Sequence, residues 1–130
     1  MILDTSFLID LMNTDEDAVA MATAIESNSQ PQRIPAQVVY ELYVGVGYTE
    51  TPSAEVSKIQ SVLEARPTVE VTEEIAKQAG RIDGQLRRTG GRVGEGDVVI
   101  GATAIRHNEP VITGNPHDFS QIPDVKVRSY

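Results

Sequence analysis

The chain opens Met1-Ile2-Leu3-Asp4-Thr5-Ser6-Phe7-Leu8-Ile9-Asp10, where an apolar segment runs straight into a cap signal and then into a helical pattern. Met1-Ile2-Leu3 reads as a short buried strand closed by Asp4, and Phe7 to Met12 as a short helix. The same alternation recurs outward from there. Thr14 before Asp15-Glu16-Asp17 supplies an N-cap and an acidic first turn for a second helix ending near Ser27. Gln30-Pro31 breaks that helix, Arg33-Ile34 leaves room for only a very short strand, and Pro35 sits where the next helix begins. Residues 36–48 are nearly all apolar and residues 53–65 are amphipathic, so two consecutive helices follow. Val69-Glu70-Val71 alternates as a strand, and Thr72-Glu73-Glu74 opens a helix with the apolar stripe Ile75, Ala79, Ile82 and Leu86. Gly90-Gly91 stops it, and Val98 to Arg106 is a further apolar helix. Strands at 1–4, 33–34, 69–71, 110–113 and 125–128, separated by helices, imply parallel pairing with crossovers. The expected fold is α/β: a three-layer α/β/α sandwich around a central parallel sheet of about five short strands.

A length of 130 residues suits one domain, expected to span 1–130. With 40% hydrophobic and 23% charged residues and no apolar run approaching the roughly 18 residues of a membrane helix, disorder and membrane spanning are excluded. The absence of cysteine excludes disulfides, zinc knuckles and thiol catalysis, and the N-terminus lacks the basic region of a signal peptide, so a cytoplasmic protein is expected. Eleven cations against nineteen anions give a net charge of −8, which argues against coating nucleic acid by bulk attraction. Arg81, Arg87, Arg88 and Arg92 nevertheless fall within one short segment, either a basic face or a solvated helix surface.

In open parallel sheets, ligands bind beyond the carboxyl ends of the strands. Asp4 closes the first strand and reads equally as a helix cap or a metal ligand. Glu41 interrupts the apolar run Val38-Val39-Tyr40-Glu41-Leu42-Tyr43-Val44. Burying a lone carboxylate there costs several kcal/mol unless it is paired, protonated or bound to a cation, an Arg partner being the plainest alternative. Asp97 heads the helix after Gly94-Glu95-Gly96 and reads as an N-cap or as a group facing a ligand. Asp118 lies in Thr113-Gly114-Asn115-Pro116-His117-Asp118-Phe119, where Thr113 and Asn115 hold the turn. Four acids gathered at strand ends and helix starts favour a hard divalent cation, Mg²⁺ or Mn²⁺, over a two-carboxylate mechanism. Neither His107 nor His117 has a helical partner spaced for zinc, and Tyr40 and Tyr43 are expected in the core or at a dimer contact. A phosphatase or receiver domain also gathers acids this way. Asp4 lacks a second Asp two residues on, however, and no lysine follows the late strand.

These segments, in this order, resemble the PIN domain, and within it the small VapC-type toxins of toxin–antitoxin pairs: Ile2 to Asp10, Glu41 in its apolar helix, Asp97-Val98-Val99-Ile100-Gly101-Ala102-Thr103-Ala104, and Thr113 to Phe119. The resemblance covers essentially the whole chain. It implies an acidic active site of Asp4, Glu41, Asp97 and Asp118, supported by Ser6, Thr113 and Asn115. It also implies an Mg²⁺- or Mn²⁺-dependent endoribonuclease, often homodimeric and neutralised by an antitoxin protein. Arg81, Arg87, Arg88, Arg92 and Arg106 are candidates for guiding the RNA backbone. A nuclease or RNA-binding component of RNA maturation, working without an antitoxin, is the alternative. Two departures stand out: Gly101 where the family usually has Ala, and Glu95 as an extra acid beside the site.

Overall fold

The computed structural model describes residues 1–130 and follows the expected alternation. In chain order the elements are β1 (Ile2–Leu3), α1 (Thr5–Met12), α2 (Glu16–Ser27), β2 (Ile34–Pro35), α3 (Ala36–Tyr48), α4 (Pro52–Leu63), β3 (Thr68–Val69), α5 (Glu73–Arg88), α6 (Glu95–His107), β4 (Val111–Ile112), α7 (Pro116–Ser120) and β5 (Val127–Arg128). All the strand pairings are parallel, with β1–β4–β5 in one group and β2–β3 in the other. A parallel bridge between Ile2 and Arg33 joins the two groups. Leu3 N–H donates to the Arg33 carbonyl at 3.0 Å and Arg33 N–H to the Met1 carbonyl at 2.9 Å. The full order is therefore β3-β2-β1-β4-β5.

This order explains why the inner strands are so apolar. The inner strands β1, β2 and β4 are buried at every residue, as a parallel sheet covered on both faces requires, whereas the edge strands β3 and β5 expose Thr68 and Arg128. Ile2, Leu3, Phe7, Leu8, Ile34, Val111 and Ile112 have no solvent exposure and form the centre of the core. Helices α1, α3 and α4 pack on one another, α5 packs along α6, and α3 reaches α6, so the two helical groups are in contact. None of the helices is long and apolar enough to cross a membrane. Ile112→Ala is expected to destabilise the fold by about 3 kcal/mol, by the usual cost of emptying a buried aliphatic site. Urea denaturation measures it, and a loss below about 1 kcal/mol would show that β4 is not part of the cooperative core.

Several sequence expectations shift. The cap of α2 is Asp15, which accepts from Asp17 N–H and Ala18 N–H, while Thr14 takes a left-handed conformation at φ 55° in the preceding turn. β3 lies one residue earlier than the Val69–Val71 alternation suggests, because its register is fixed by β2 rather than by its own pattern. Helix α6 starts at Glu95, three residues before Val98, so Asp97 is inside the first turn and Gly94 is the cap residue. Tyr40 and Tyr43 are not in the core: with Val44 and Tyr48 they lie on the exposed side of α3, at 66% and 40% exposure. The short helix α7, which carries Asp118, has too few residues to show a periodicity. Gly101 also acquires a reason. A Cβ there would stand 3.0 Å from Ile122 Cδ1 and 3.3 Å from Val125 Cγ2, so its absence lets the segment after α7 lie against α6.

Candidate active site

Because β2 and β3 extend the sheet from one side of β1, and β4 and β5 from the other, the strand order reverses between β1 and β4. Loops leaving two such neighbours diverge, and a crevice opens at their carboxyl ends. Asp4 follows β1 there, and Thr113 to Asn115 follow β4.

Asp4 caps α1 and also lies at this crevice. It is the N-cap of α1, accepting Phe7 N–H at 2.9 Å on Oδ1, yet it is only 3% exposed. Ser6 Oγ donates to its two oxygens at 2.8 and 3.0 Å, and Thr113 Oγ1 donates to Oδ2 at 2.5 Å. Burial raises its proton affinity, the bonds from Thr113, Phe7 and Ser6 pull it back, and the charge of Glu41 raises it again. Thr113 itself is fully buried and accepts Asn115 N–H at 2.9 Å, so the turn after β4 is tied directly to the Asp4 carboxylate.

Glu41 has no arginine partner. Its Oε1 accepts from Thr5 Oγ1 at 2.6 Å and its Oε2 from Gln37 Nε2 at 2.9 Å, two neutral donors that orient the carboxylate without cancelling its charge. Gln37 lies one turn before Glu41 on α3, the spacing at which side chains on one helix face meet. The carboxylate is laid across Gly96 of α6, where a Cβ would collide with Oε2. Asp97, the next residue, is half-buried, and its pKa is pushed up to about 6, by burial first and then by the charges of Asp118, Glu41 and Asp4. Asp97 therefore feels the other three acids across the crevice. Asp118, on α7, is the exposed member. No lysine, arginine or histidine forms an ion pair with any of the four.

The other nominated residues divide. Ser6 and Thr113 donate their hydroxyls to Asp4, whereas Asn115 joins them through its backbone N–H alone. Glu95 turns to Arg87, and His117 is exposed and makes no side-chain bond. Arg87 is already held by Asp83 at 3.0 Å and Glu95 at 3.1 Å, and Arg106 by Glu74. Arg81, Arg88 and Arg92 are exposed and unpaired. Sequence reasoning missed Thr5, Gln37 and Gly96. The spacing of four between Gln37 and Glu41 was legible, whereas nothing along the chain announces that Gly96 lies under Glu41.

A hard divalent cation fits this donor set. All four members are carboxylates, their shared negative charge has no protein counter-ion, and that repulsion already reaches the proton affinity of Asp97. No three of these side chains stand in a ready ligating arrangement, so the ligand shell is not preformed.

A family model described as PIN domain matches residues 1–125. The chain belongs to the PIN domain family. This PIN domain is 25% identical over 125 residues to ribonuclease VapC19 of Mycobacterium tuberculosis, covering 96% of each chain. It is 22% identical over 128 residues to ribonuclease VapC2 of Rickettsia felis, covering 98% of this chain and 96% of that one. Among solved structures it superposes on the VapBC2 structure from Rickettsia felis, bound to a DNA fragment from their promoter, with a TM-score of 0.89 at 21% identity. That match covers 98% of this chain and 96% of the other. DNA-bound VapBC from Salmonella typhimurium gives a TM-score of 0.85 at 22% identity with the same coverage. At these identities the structural likeness shows a shared PIN fold.

Proposed function

We propose that this chain is a divalent-metal-dependent endoribonuclease and the toxin of a type II toxin–antitoxin pair. The observation that carries the reading is the set of four carboxylates without a protein counter-ion at the strand reversal of a PIN domain. Full-length similarity to proteins named ribonuclease VapC supports the activity, and similarity to chains of VapBC complexes supports a protein antitoxin as partner. Homodimer formation and a cytoplasmic site of action belong to the same reading.

Asp4, Glu41, Asp97 and Asp118 would hold Mg²⁺ or Mn²⁺, which when bound supplies a water of lowered pKa and screens the phosphodiester charge. The residues divide the remaining work. Ser6, Thr113 and the Phe7 N–H direct Asp4, and Thr5 with Gln37 directs Glu41. Asp97 must be deprotonated to act as a ligand, which ties activity to its raised proton affinity. Without a cation the crevice repels a phosphate, so cleavage should vanish in chelator rather than decline.

The RNA strand would approach over the junction of α5 and α6. An open cleft of about 660 Å³ lies there, lined by Asp83, Arg87, Arg92 and the glycines 90, 91 and 94, and Gly94 borders Asp97. Arg88 and Arg92 have no carboxylate to give up before meeting a phosphate, unlike Arg87. Replacing both with Ala is expected to weaken RNA binding about tenfold and to flatten its salt dependence by roughly two contacts. Fluorescence anisotropy across a salt series checks this. An unchanged slope would place the RNA elsewhere.

The decisive experiment is incubation of purified protein with total cellular RNA in Mg²⁺ or Mn²⁺, with chelator and Asp97→Asn as parallel controls. Discrete fragments lost in both controls support the reading, and well-folded protein that binds metal but cuts nothing would overturn the nuclease assignment. Growth arrest on expression, relieved by a co-expressed adjacent reading frame, tests the toxin half.

A further inference from the structure

We infer that Tyr130 and Asp10 form a clamp that positions the turn after β4, and through it the Asp4 carboxylate, in the site proposed above. Tyr130 follows β5, and its hydroxyl donates to Asp10 Oδ2 on α1 at 2.5 Å. Burial and the charge of Asp10 hold this phenol well above its usual pKa, so it remains a donor at any physiological pH. Its ring meets Phe7 edge-on, with centroids 5.2 Å apart, and Phe7 is the residue whose N–H donates to the capping carboxylate of Asp4.

The clamp touches the turn at Gly114. A Cβ there would stand 2.7 Å from the Tyr130 hydroxyl oxygen and 3.2 Å from Asp10 Oδ2, so the backbone of this turn rests directly on the hydrogen-bonded pair. From Gly114 the bonds run inward in one direction. Gly114 N–H donates to Ser6 Oγ at 3.0 Å, and Ser6 O–H donates to Asp4. Thr113, on the other side, donates its hydroxyl to the same carboxylate. Ser6 and Thr113, the two side chains that donate to Asp4, are thus tied through this turn to a pair that makes no hydrogen bond to any of the four carboxylates. Tyr130 and Asp10 are positioning residues, and Gly114 is the point of contact.

Tyr130→Phe keeps the ring on Phe7 and removes only the hydroxyl bond. The expected result is amide exchange at Gly114 accelerated about tenfold by NMR, the scale of one lost hydrogen bond. Mn²⁺ binding by calorimetry should weaken several-fold. RNA cleavage should show kcat reduced about tenfold with KM within twofold, since the strand path over α5 and α6 is untouched. Asp10→Ala should match Tyr130→Phe, the double variant should be no worse than either, and Asp10→Asn, which keeps an acceptor, should retain most activity. Gly114 exchange and Mn²⁺ affinity both unchanged in Tyr130→Phe would overturn the clamp, as would Asp10→Asn failing as badly as Asp10→Ala. Because the exchange readout needs no RNA, a wild-type protein that cleaves nothing would sink the nuclease reading while the clamp is still judged.

Discussion

Asp97→Asn is expected to abolish metal-dependent RNA cleavage, by at least about a thousandfold in kcat, while making the metal-free protein more stable. In the proposed site Asp97 would be a metal ligand that must be ionised, and its loss accounts for the first effect. The second follows from the sign of the proton linkage. Folding raises the pKa of Asp97 from 3.8 to about 6, through burial and the neighbouring acids. The folded state therefore binds a proton more tightly than the unfolded chain between those values, and at neutral pH the ionised group opposes folding. That penalty is fully present above about pH 6 and fades as pH falls toward 4. Asparagine removes it at pH 7.5. After discounting for solvent screening at a half-exposed side chain, the gain is about 1 kcal/mol, or roughly 4 °C in Tm. Thermal unfolding in chelator at pH 7.5 and pH 5 checks it, the difference between variant and wild type shrinking at the lower pH. A variant less stable than wild type at pH 7.5 would mean that the carboxylate is satisfied by contacts other than those seen. The same linkage makes wild-type cleavage at limiting metal fall below about pH 6, by about tenfold per pH unit.

Gly96→Ala is expected to lower cleavage by about a hundredfold with no loss of stability. The added methyl group occupies the position of Glu41 Oε2 and comes within 3.2 Å of Gln37 Nε2. What must yield is the end of a side chain rather than backbone, so the carboxylate swings away from Thr5 and Gln37 and the fold absorbs the change. Alanine in a helical turn is itself worth up to about 1 kcal/mol over glycine, which offsets the displacement. Activity is not expected to recover in the same way, because in the proposed site a carboxylate displaced by about an ångström no longer holds its cation in register with the reacting phosphate. Gly80→Ala on α5 is the matched control, since a Cβ there meets nothing within 4 Å and should raise Tm with cleavage unaltered. Equal activity in both variants would show that the placement of Glu41 over Gly96 has no part in the reaction.

Placed side by side, the two sites differ in how much the chain alone discloses. Asp97 and Asp118 stand next to strand ends and helix starts, where polarity changes abruptly along the sequence, and Glu41 betrays itself as one charge in an apolar run. Gly96 and Tyr130 carry no such contrast. A glycine near a helix start and a tyrosine after a strand are ordinary locally, and each gains its role only from a residue 55 positions earlier in one case, Glu41, and 120 positions earlier in the other, Asp10. The arginines show the converse: clustering made Arg81, Arg87, Arg88 and Arg92 conspicuous, yet Arg87 spends its charge on Asp83 and Glu95.

By itself the sequence determined the alternation of short buried strands with helices, hence the parallel sheet, and it determined which acids lie where such a sheet binds ligands. Both are local properties, written in hydrophobic periodicity, caps and breakers. Tertiary structure alone decided the strand order, the reversal between β1 and β4 that draws Asp4 to Thr113, and the neutral donors that hold Glu41. It also decided the exposure of the tyrosines on α3. These depend on which surfaces meet after the chain crosses the sheet, and contacts between residues far apart in sequence leave no periodic trace in either partner.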